Sequence, residues 1–83
     1  MRKELILQGF ESLIENLSII IRYEKGDFQG GLCTISDKKI LILNHKLTLD
    51  QKISVIAQEL KQLNLEKIYI RPALRAIIEE KSN

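Results

Sequence analysis

The sequence predicts one small α+β domain, in which helices pack on a small antiparallel sheet and the elements follow the order α-β-β-β-α-α. Three observations predict this fold class. Apolar residues repeat with helical spacing near both ends of the chain. Three short runs between those ends are rich in Ile and Leu, as buried strands are. The chain has 83 residues, which suits one domain with a modest core, so residues 1–83 are taken as a single domain.

The first helix is predicted from an apolar stripe that shares one helix face. Its members are Ile6, Phe10, Leu13, Ile14 and Leu17. Gly9 interrupts this helix, at a cost of about 1 kcal/mol relative to alanine. The helix should end near residues 16–18, because the run Ile19-Ile20-Ile21-Arg22-Tyr23 is β-branched and apolar on both faces at its start. That run is the predicted first strand.

A glycine-rich stretch, residues 23–33, follows and holds three of the four glycines, Gly26, Gly30 and Gly31. Glycine adopts backbone conformations that other residues avoid, so all three are predicted to shape a loop between strands. The second strand is predicted over residues 32–36 and the third over residues 40–44. The third strand is apolar until its last residue, Asn44, which predicts a central strand covered on both sides.

The hairpin between the second and third strands has a predicted register. With Asp37 and Lys38 as its turn, Cys33 lies opposite Ile42 and Ile35 lies opposite Ile40. A shift by one residue would move apolar side chains to the wrong face.

The second helix is predicted to begin with a capping box, Thr48-Leu49-Asp50-Gln51, and to run to about Asn64. Residues 65–71 fit either a helical turn or a short extended piece. Pro72 suits the first position of a last helix, and residues 79–83 are expected to fray. The inward-facing positions of the two helices are Ile53, Ile56, Ala57, Leu60, Leu63, Leu74, Ile77 and Ile78.

Composition argues against several kinds of partner. The net charge is only +2 and the basic residues are scattered, so no nucleic-acid partner is expected. No apolar run approaches the roughly 20 residues that span a bilayer, and the N-terminus lacks a secretion-signal pattern. A single cysteine allows no intrachain disulfide. We expect a cytoplasmic protein without a cofactor, which does not bind membranes and is a monomer or a weak homodimer.

The pentapeptide Gln58-Glu59-Leu60-Lys61-Gln62 has the spacing of the His-Glu-x-x-His motif of zinc peptidases. Both histidines are replaced by glutamines, whose neutral amides are poor zinc ligands. The helical phase places Gln58 and Gln62 away from the apolar face. A solvated helix face is the simpler interpretation and a decayed catalytic helix is the alternative, so no metal site is expected.

Two other groups of residues could carry chemistry. Cys33 and His45 could act as nucleophile and base, but the predicted register places His45 beside Gly30, roughly 10 Å along the strand from Cys33. Cys33 is therefore expected to be a buried structural residue. Glu24 and Asp27 could form a carboxylate site, or a nest of amides could hold an anion there, although a tight structural loop is the simpler interpretation.

Phe28 lies between glycines and belongs to no periodic apolar face. Its ring either plugs the core, packing beneath the loop, or is exposed on the surface where a partner could contact it. We expect the ring to plug the core, because a domain with two phenylalanines has few large apolar side chains with which to fill its core. The candidate binding residues are Glu24, Asp27, Phe28, Gly30, Gly31, Gln58, Glu59 and Gln62.

The tract Arg22-Tyr23-Glu24-Lys25-Gly26-Asp27-Phe28-Gln29-Gly30-Gly31-Leu32-Cys33, followed by Ile42-Leu43-Asn44, resembles a family of very short bacterial proteins with no assigned activity. The resemblance runs from about Leu17 to Ile78. More distantly, the order of helix, three strands and helix resembles the minimal core of zinc-dependent peptidases. In those proteins a strand ending in Asn precedes the metal-binding helix, as Asn44 does here. Only Glu59 matches their His-Glu-x-x-His motif, so this resemblance implies neither a metal nor an activity.

The expected function is a non-catalytic binding or interaction module with a protein partner. The alternative is a degenerate zinc-peptidase-like protein, or a small hydrolase that uses Glu59, or Glu24 with Asp27. A sizeable pocket at those carboxylates would favour the enzyme, whereas a flat apolar patch would favour the binding module.

Overall fold

A computed structural model describes residues 2–80 and confirms the α+β class and the order of the elements. The helices are α1 (Lys3–Asn16), α2 (Leu49–Lys61) and α3 (Pro72–Glu80), and the strands are β1 (Ile19–Glu24), β2 (Gly30–Ile35) and β3 (Lys38–Asn44). Within the described residues, no helix is both long and apolar enough to cross a membrane.

Local signals place the helix ends. The capping box of α2 is confirmed, because Thr48 Oγ1 accepts a hydrogen bond from Gln51 N and Gln51 Oε1 accepts one from Thr48 N. Pro72 begins α3 as predicted, and residues 79 and 80 continue that helix rather than fray. The expectation for residues 81–83 lies outside the described part of the chain. Helix α2 ends at Lys61, three residues before the predicted end, and residues 62–71 form turns without regular structure.

The sheet is mixed rather than wholly antiparallel. Its strand order is β1-β3-β2, with β3 antiparallel to β2 but parallel to β1. The loop after β1 carries the chain across the sheet to the far edge, and the hairpin then returns β3 into the space between the other two strands. Since Ile40-Leu41-Ile42-Leu43 is the longest unbroken apolar run among the three strands, the middle of the sheet is where β3 buries the most apolar surface. Its central place is confirmed.

The register of the hairpin differs from the prediction by two residues. Cys33 lies opposite Ile40, because Ser36 and Asp37 form the turn with φ of 49° and 68°. Two-residue hairpins favour turns with positive φ at both central residues, since their twist matches that of the strands. A shift of two residues leaves every side chain on its predicted face. It does, however, place Leu43 rather than His45 beside Gly30.

All three helices lie on one face of the sheet. The core between the layers includes six fully buried side chains, Phe10, Ile14, Leu41, Leu43, Ile56 and Leu60. Side chains of a strand alternate between faces, so the intervening residues point to the other side. There, Ile20, Cys33, Ile35, Ile40 and Ile42 form a surface that we call the open face. The prediction that β3 is covered on both sides is only partly right: within residues 2–80, Leu41 and Leu43 pack in the helical core cluster, whereas on the other side Ile40 is buried and Ile42 is half-buried without belonging to that cluster.

Candidate functional site

Asn44, at the end of β3, fastens the loop of residues 25–29 to the sheet. It is buried, with 6% of its surface exposed. Its Nδ2 donates hydrogen bonds to the carbonyl oxygens of Gly26 and Phe28, the second at 2.7 Å. Its Oδ1 accepts from Lys46 N at 3.0 Å. A buried amide needs such partners, since each unpaired polar group would cost free energy. One side chain therefore holds both ends of the loop in place.

Two of the three glycines have the backbone conformation that was predicted for them. Gly26 has φ of 149° and Gly30 has φ of 146°, a region that residues with a Cβ rarely adopt. A Cβ on Gly30 would also collide with the carbonyl oxygen of Ile42. Gly31 does not have a positive φ, and a Cβ there would make an ordinary contact, 3.5 Å from Glu59 Oε1. The prediction that all three glycines shape the backbone is wrong for Gly31.

Phe28 is exposed and does not plug the core. It keeps 40% of its surface exposed, and its ring lies across Gly26, where a Cβ would come within 2.8 Å of it. The Asn44 amide occupies the space beneath the loop instead, because two loop carbonyls there need a hydrogen-bond donor. The ring is consequently available on the surface, beside the open face.

The candidate carboxylates are engaged with other groups or lie apart. Glu24 Oε2 is 3.3 Å from Arg22 Nη2, whereas Asp27 is exposed. Glu59 Oε1 accepts a hydrogen bond of 2.6 Å from the backbone N–H of Leu32. Strand β2 is an edge strand, so this carboxylate covers part of an edge that could otherwise pair with another chain. Among residues 2–80, no group of three or more His, Cys, Asp or Glu side chains is placed to hold a metal ion.

The remaining candidates for chemistry are also separated. Gln58 and Gln62 are exposed on the outer face of α2, as the helical phase predicts. Cys33 is half-buried in β2 rather than fully buried. His45 lies beyond the end of β3, where its backbone N–H donates to the carbonyl oxygen of Glu24 at 3.0 Å.

A shallow, mostly apolar depression of about 610 Å³ lies on the open face beside Phe28. We call it the open-face depression. Four predicted binding residues line it, namely Glu24, Phe28, Gly30 and Gly31. Asp27, Gln58, Glu59 and Gln62 do not. Sequence reasoning missed Arg22 and Lys25, which also line it, and it missed the exposed Ile20 and Ile35, which lie further along the open face, level with Ile40 and Lys38 of β3. The alternation of β1 and β2 side chains was the signal that could have assigned those isoleucines to an uncovered face.

Tyr23 faces the helices rather than the open face. Its hydroxyl donates to Glu11 Oε2 at 3.3 Å, and Lys52 Nζ lies 5.0 Å from the centre of its ring. Partial burial raises the pKa of Tyr23 above its ordinary value, and the neighbouring Glu11 carboxylate raises it further. Tyr23 thus helps to join β1 to α1 and α2 and does not belong to the depression.

Comparison with known proteins found no matching protein-family model, no matching curated protein and no matching solved structure. The functional conclusion consequently depends on the geometry of the site itself.

Proposed function

We propose that the protein is a non-catalytic binding module, which receives a short apolar segment of a partner protein in the open-face depression. One observation carries this proposal: exposed apolar side chains lie along the open face and, at Phe28, beside it, on a loop that Asn44 holds by hydrogen bonds. Phe28, Ile20 and Ile35 keep 40%, 46% and 50% of their surfaces exposed. Because Asn44 holds the loop, little conformational entropy would be lost when a partner docks against Phe28.

The arrangement of the carboxylates supports binding rather than hydrolysis. Catalytic carboxylates must be free to exchange protons with a substrate or a water molecule. Here Glu59 accepts a short hydrogen bond from β2, and Glu24 is paired with Arg22. Asp27 lies outside the open-face depression. An enzyme that uses these groups, or a degenerate peptidase, is therefore the second candidate: of the three carboxylates Glu24 alone lines the open-face depression, and it does so as the ion-pair partner of Arg22.

The size of the open face favours a segment of another protein over a second copy of this chain. Three strands spaced about 4.8 Å apart and about six residues long cover roughly 300 Å². Stable interfaces between two folded proteins usually bury about 800 Å² of accessible surface on each partner, so the open face alone is small for a complex of two folded domains. A short segment with two or three bulky apolar side chains matches the open face better.

Charge favours an acidic residue beside those apolar side chains. Arg22 is paired with Glu24, whereas Lys25 takes part in no ion pair among residues 2–80. An acidic residue of the partner could pair with the Lys25 ammonium group at the rim, which would mainly improve specificity and the rate of association.

Selection from a displayed library of random 12-residue peptides tests the proposal. Peptides enriched on the parent protein should share bulky apolar residues and an adjacent Asp or Glu. Phe28→Ala should abolish their binding, while costing less stability than the ~3–5 kcal/mol of a fully buried phenylalanine, because the ring is partly exposed. Lys25→Glu should weaken the peptides that contain an acid.

Tyr69→Ala is the matched control, since it removes an exposed aromatic ring from the helical side of the protein. It should leave peptide binding unchanged. Thermal melts would show whether Phe28→Ala is folded. If this folded variant bound the peptides as well as the parent does, the proposed surface would be refuted.

A further inference from the structure

A second cavity, of about 520 Å³, lies between α1 and the segment of residues 69–74. We call it the helix cleft. It is on the helical side of the protein and shares no lining residue with the open-face depression. Small-molecule sites commonly enclose about 300–1,000 Å³, so the helix cleft is large enough for a small ligand.

The shape of the helix cleft is built into the packing of α1 against α3. Gly9 weakens the interior of α1 relative to alanine, yet it allows a close approach of the two helices. A Cβ at this position would lie 2.8 Å from Leu74 Cδ1. The buried side chains of Leu13, Ile70 and Leu74 contribute to an apolar lining. Packing of these helices thus shapes a cleft with an apolar side.

Neutral polar residues line the α1 side of the helix cleft. Gln8, Ser12 and Asn16 are four residues apart, so they lie along one helix face and offer amide and hydroxyl groups. The other side includes Tyr69, which is 81% exposed, and Arg71. Arg71 is the only charged residue of the lining and takes part in no ion pair within residues 2–80. The described lining therefore carries one positive charge and no negative charge.

We propose that the helix cleft binds a small organic anion with a flat apolar body. The body would lie against Tyr69 and Leu74, while the anionic group pairs with the Arg71 guanidinium, whose planar fork suits carboxylate and phosphate oxygens. Gln8 and Ser12 supply donors for the remaining oxygens of the anion. This site is independent of the partner surface proposed for the open face.

An NMR titration with three probes of equal body size tests this assignment. The probes are 2-naphthoate, 2-naphthyl phosphate and the neutral 2-naphthalenemethanol. Both anions should shift the backbone amides of residues 8–16 and 69–74, apart from Pro72, which has no N–H. They should bind at least about tenfold more tightly than the alcohol, as expected for hydrogen bonds to a charged group. The tighter anion identifies the preferred head group.

Three variants separate the roles of charge and shape. Arg71→Gln should weaken both anions about tenfold and leave the alcohol unchanged. Arg75→Gln, which removes the same charge one turn further along α3 and outside the lining, should change neither. Ser12→Phe should fill the helix cleft and remove binding of all three probes. Phe28→Ala should have no effect, because it lies at the other site.

Three results would overturn the proposal. The first is an absence of shifts around the helix cleft at millimolar concentrations of both anions. The second is equal affinity for the alcohol and the anions. The third is an Arg71→Gln variant that binds the anions as the parent does.

Discussion

Replacing Asn44 by aspartate tests whether this one side chain holds the loop. Asn44→Asp keeps the shape of the side chain but removes the Nδ2 donor that binds the carbonyl oxygens of Gly26 and Phe28. Each lost hydrogen bond costs about 1 kcal/mol, and a buried carboxylate facing two carbonyl oxygens adds a desolvation and repulsion penalty. We expect a loss of about 3–5 kcal/mol at pH 7. Total stability is about 0.05–0.15 kcal/mol per residue, or roughly 4–12 kcal/mol for 83 residues, so this loss is large.

The loss of stability in Asn44→Asp should be larger at high pH than at low pH. Burial and the two carbonyl oxygens raise the pKa of the new carboxyl group in the folded protein above its unfolded value of about 3.9. The unfolded state therefore ionises more readily, and stability falls as pH rises through the interval between those two pKa values. At lower pH the protonated carboxyl donates one hydrogen bond, so part of the stability returns.

Urea denaturation followed by circular dichroism, at pH 7 and at pH 3, below the unfolded pKa of about 3.9, measures both effects against the parent protein at the same pH. Asn64→Asp is the matched control, because Asn64 is exposed and its side-chain oxygen only accepts a hydrogen bond, from Glu66 N. That variant should stay within about 0.5 kcal/mol of the parent. An Asn44→Asp variant as stable as Asn64→Asp at pH 7, or a loss that does not shrink at pH 3, would refute the role assigned to Asn44.

Four further predictions concern α2 and its Gln58–Gln62 segment. Leu60→Ala should cost ~2–5 kcal/mol in urea denaturation, because Leu60 is fully buried, whereas Gln62→Ala should stay within about 0.5 kcal/mol; equal effects would contradict the helix phase. Glu59→Ala should cost about 1–3 kcal/mol of stability and speed hydrogen exchange at the Leu32 amide, because it removes the acceptor of the Leu32 N–H. Glu59→Gln keeps an acceptor and should lose less stability. An unchanged exchange rate in Glu59→Ala would argue against the hydrogen bond between Leu32 N and Glu59 Oε1. Elemental analysis of the tag-free protein should find no stoichiometric zinc, because neutral amides are poor zinc ligands; one zinc per chain would contradict this. Gln58→His with Gln62→His should gain zinc affinity, since the two imidazoles would share a helix face; calorimetry without any gain would count against a peptidase-like origin.

Part of the candidate site was predictable from local pattern. Glycines at residues 26 and 30 indicated a shaped loop, and Phe28 stood out because it fitted no apolar face. The role of Asn44 was missed, although a polar residue that directly follows a buried strand is a usable signal. Glu59 was singled out because it matches the Glu of the His-Glu-x-x-His motif. Its hydrogen bond with Leu32 N was not predictable from local pattern, because Leu32 lies 27 residues away in the sequence.

The sequence by itself determined the class, the order of elements and the starts of α2 and α3, because these depend on residues within a few positions of one another. The capping box at Thr48, the start of α3 at Pro72 and the buried face of α2 are examples. Only the tertiary structure decided that β1 runs parallel to β3, that Ser36 and Asp37 form the turn, and that one face of the sheet stays open. These features follow from which strand takes the middle of the sheet. The arrangement of the strands depends on which pairing buries the most apolar area. The paired strands can be distant in the sequence, so the local spacing of residues does not indicate which pairing forms.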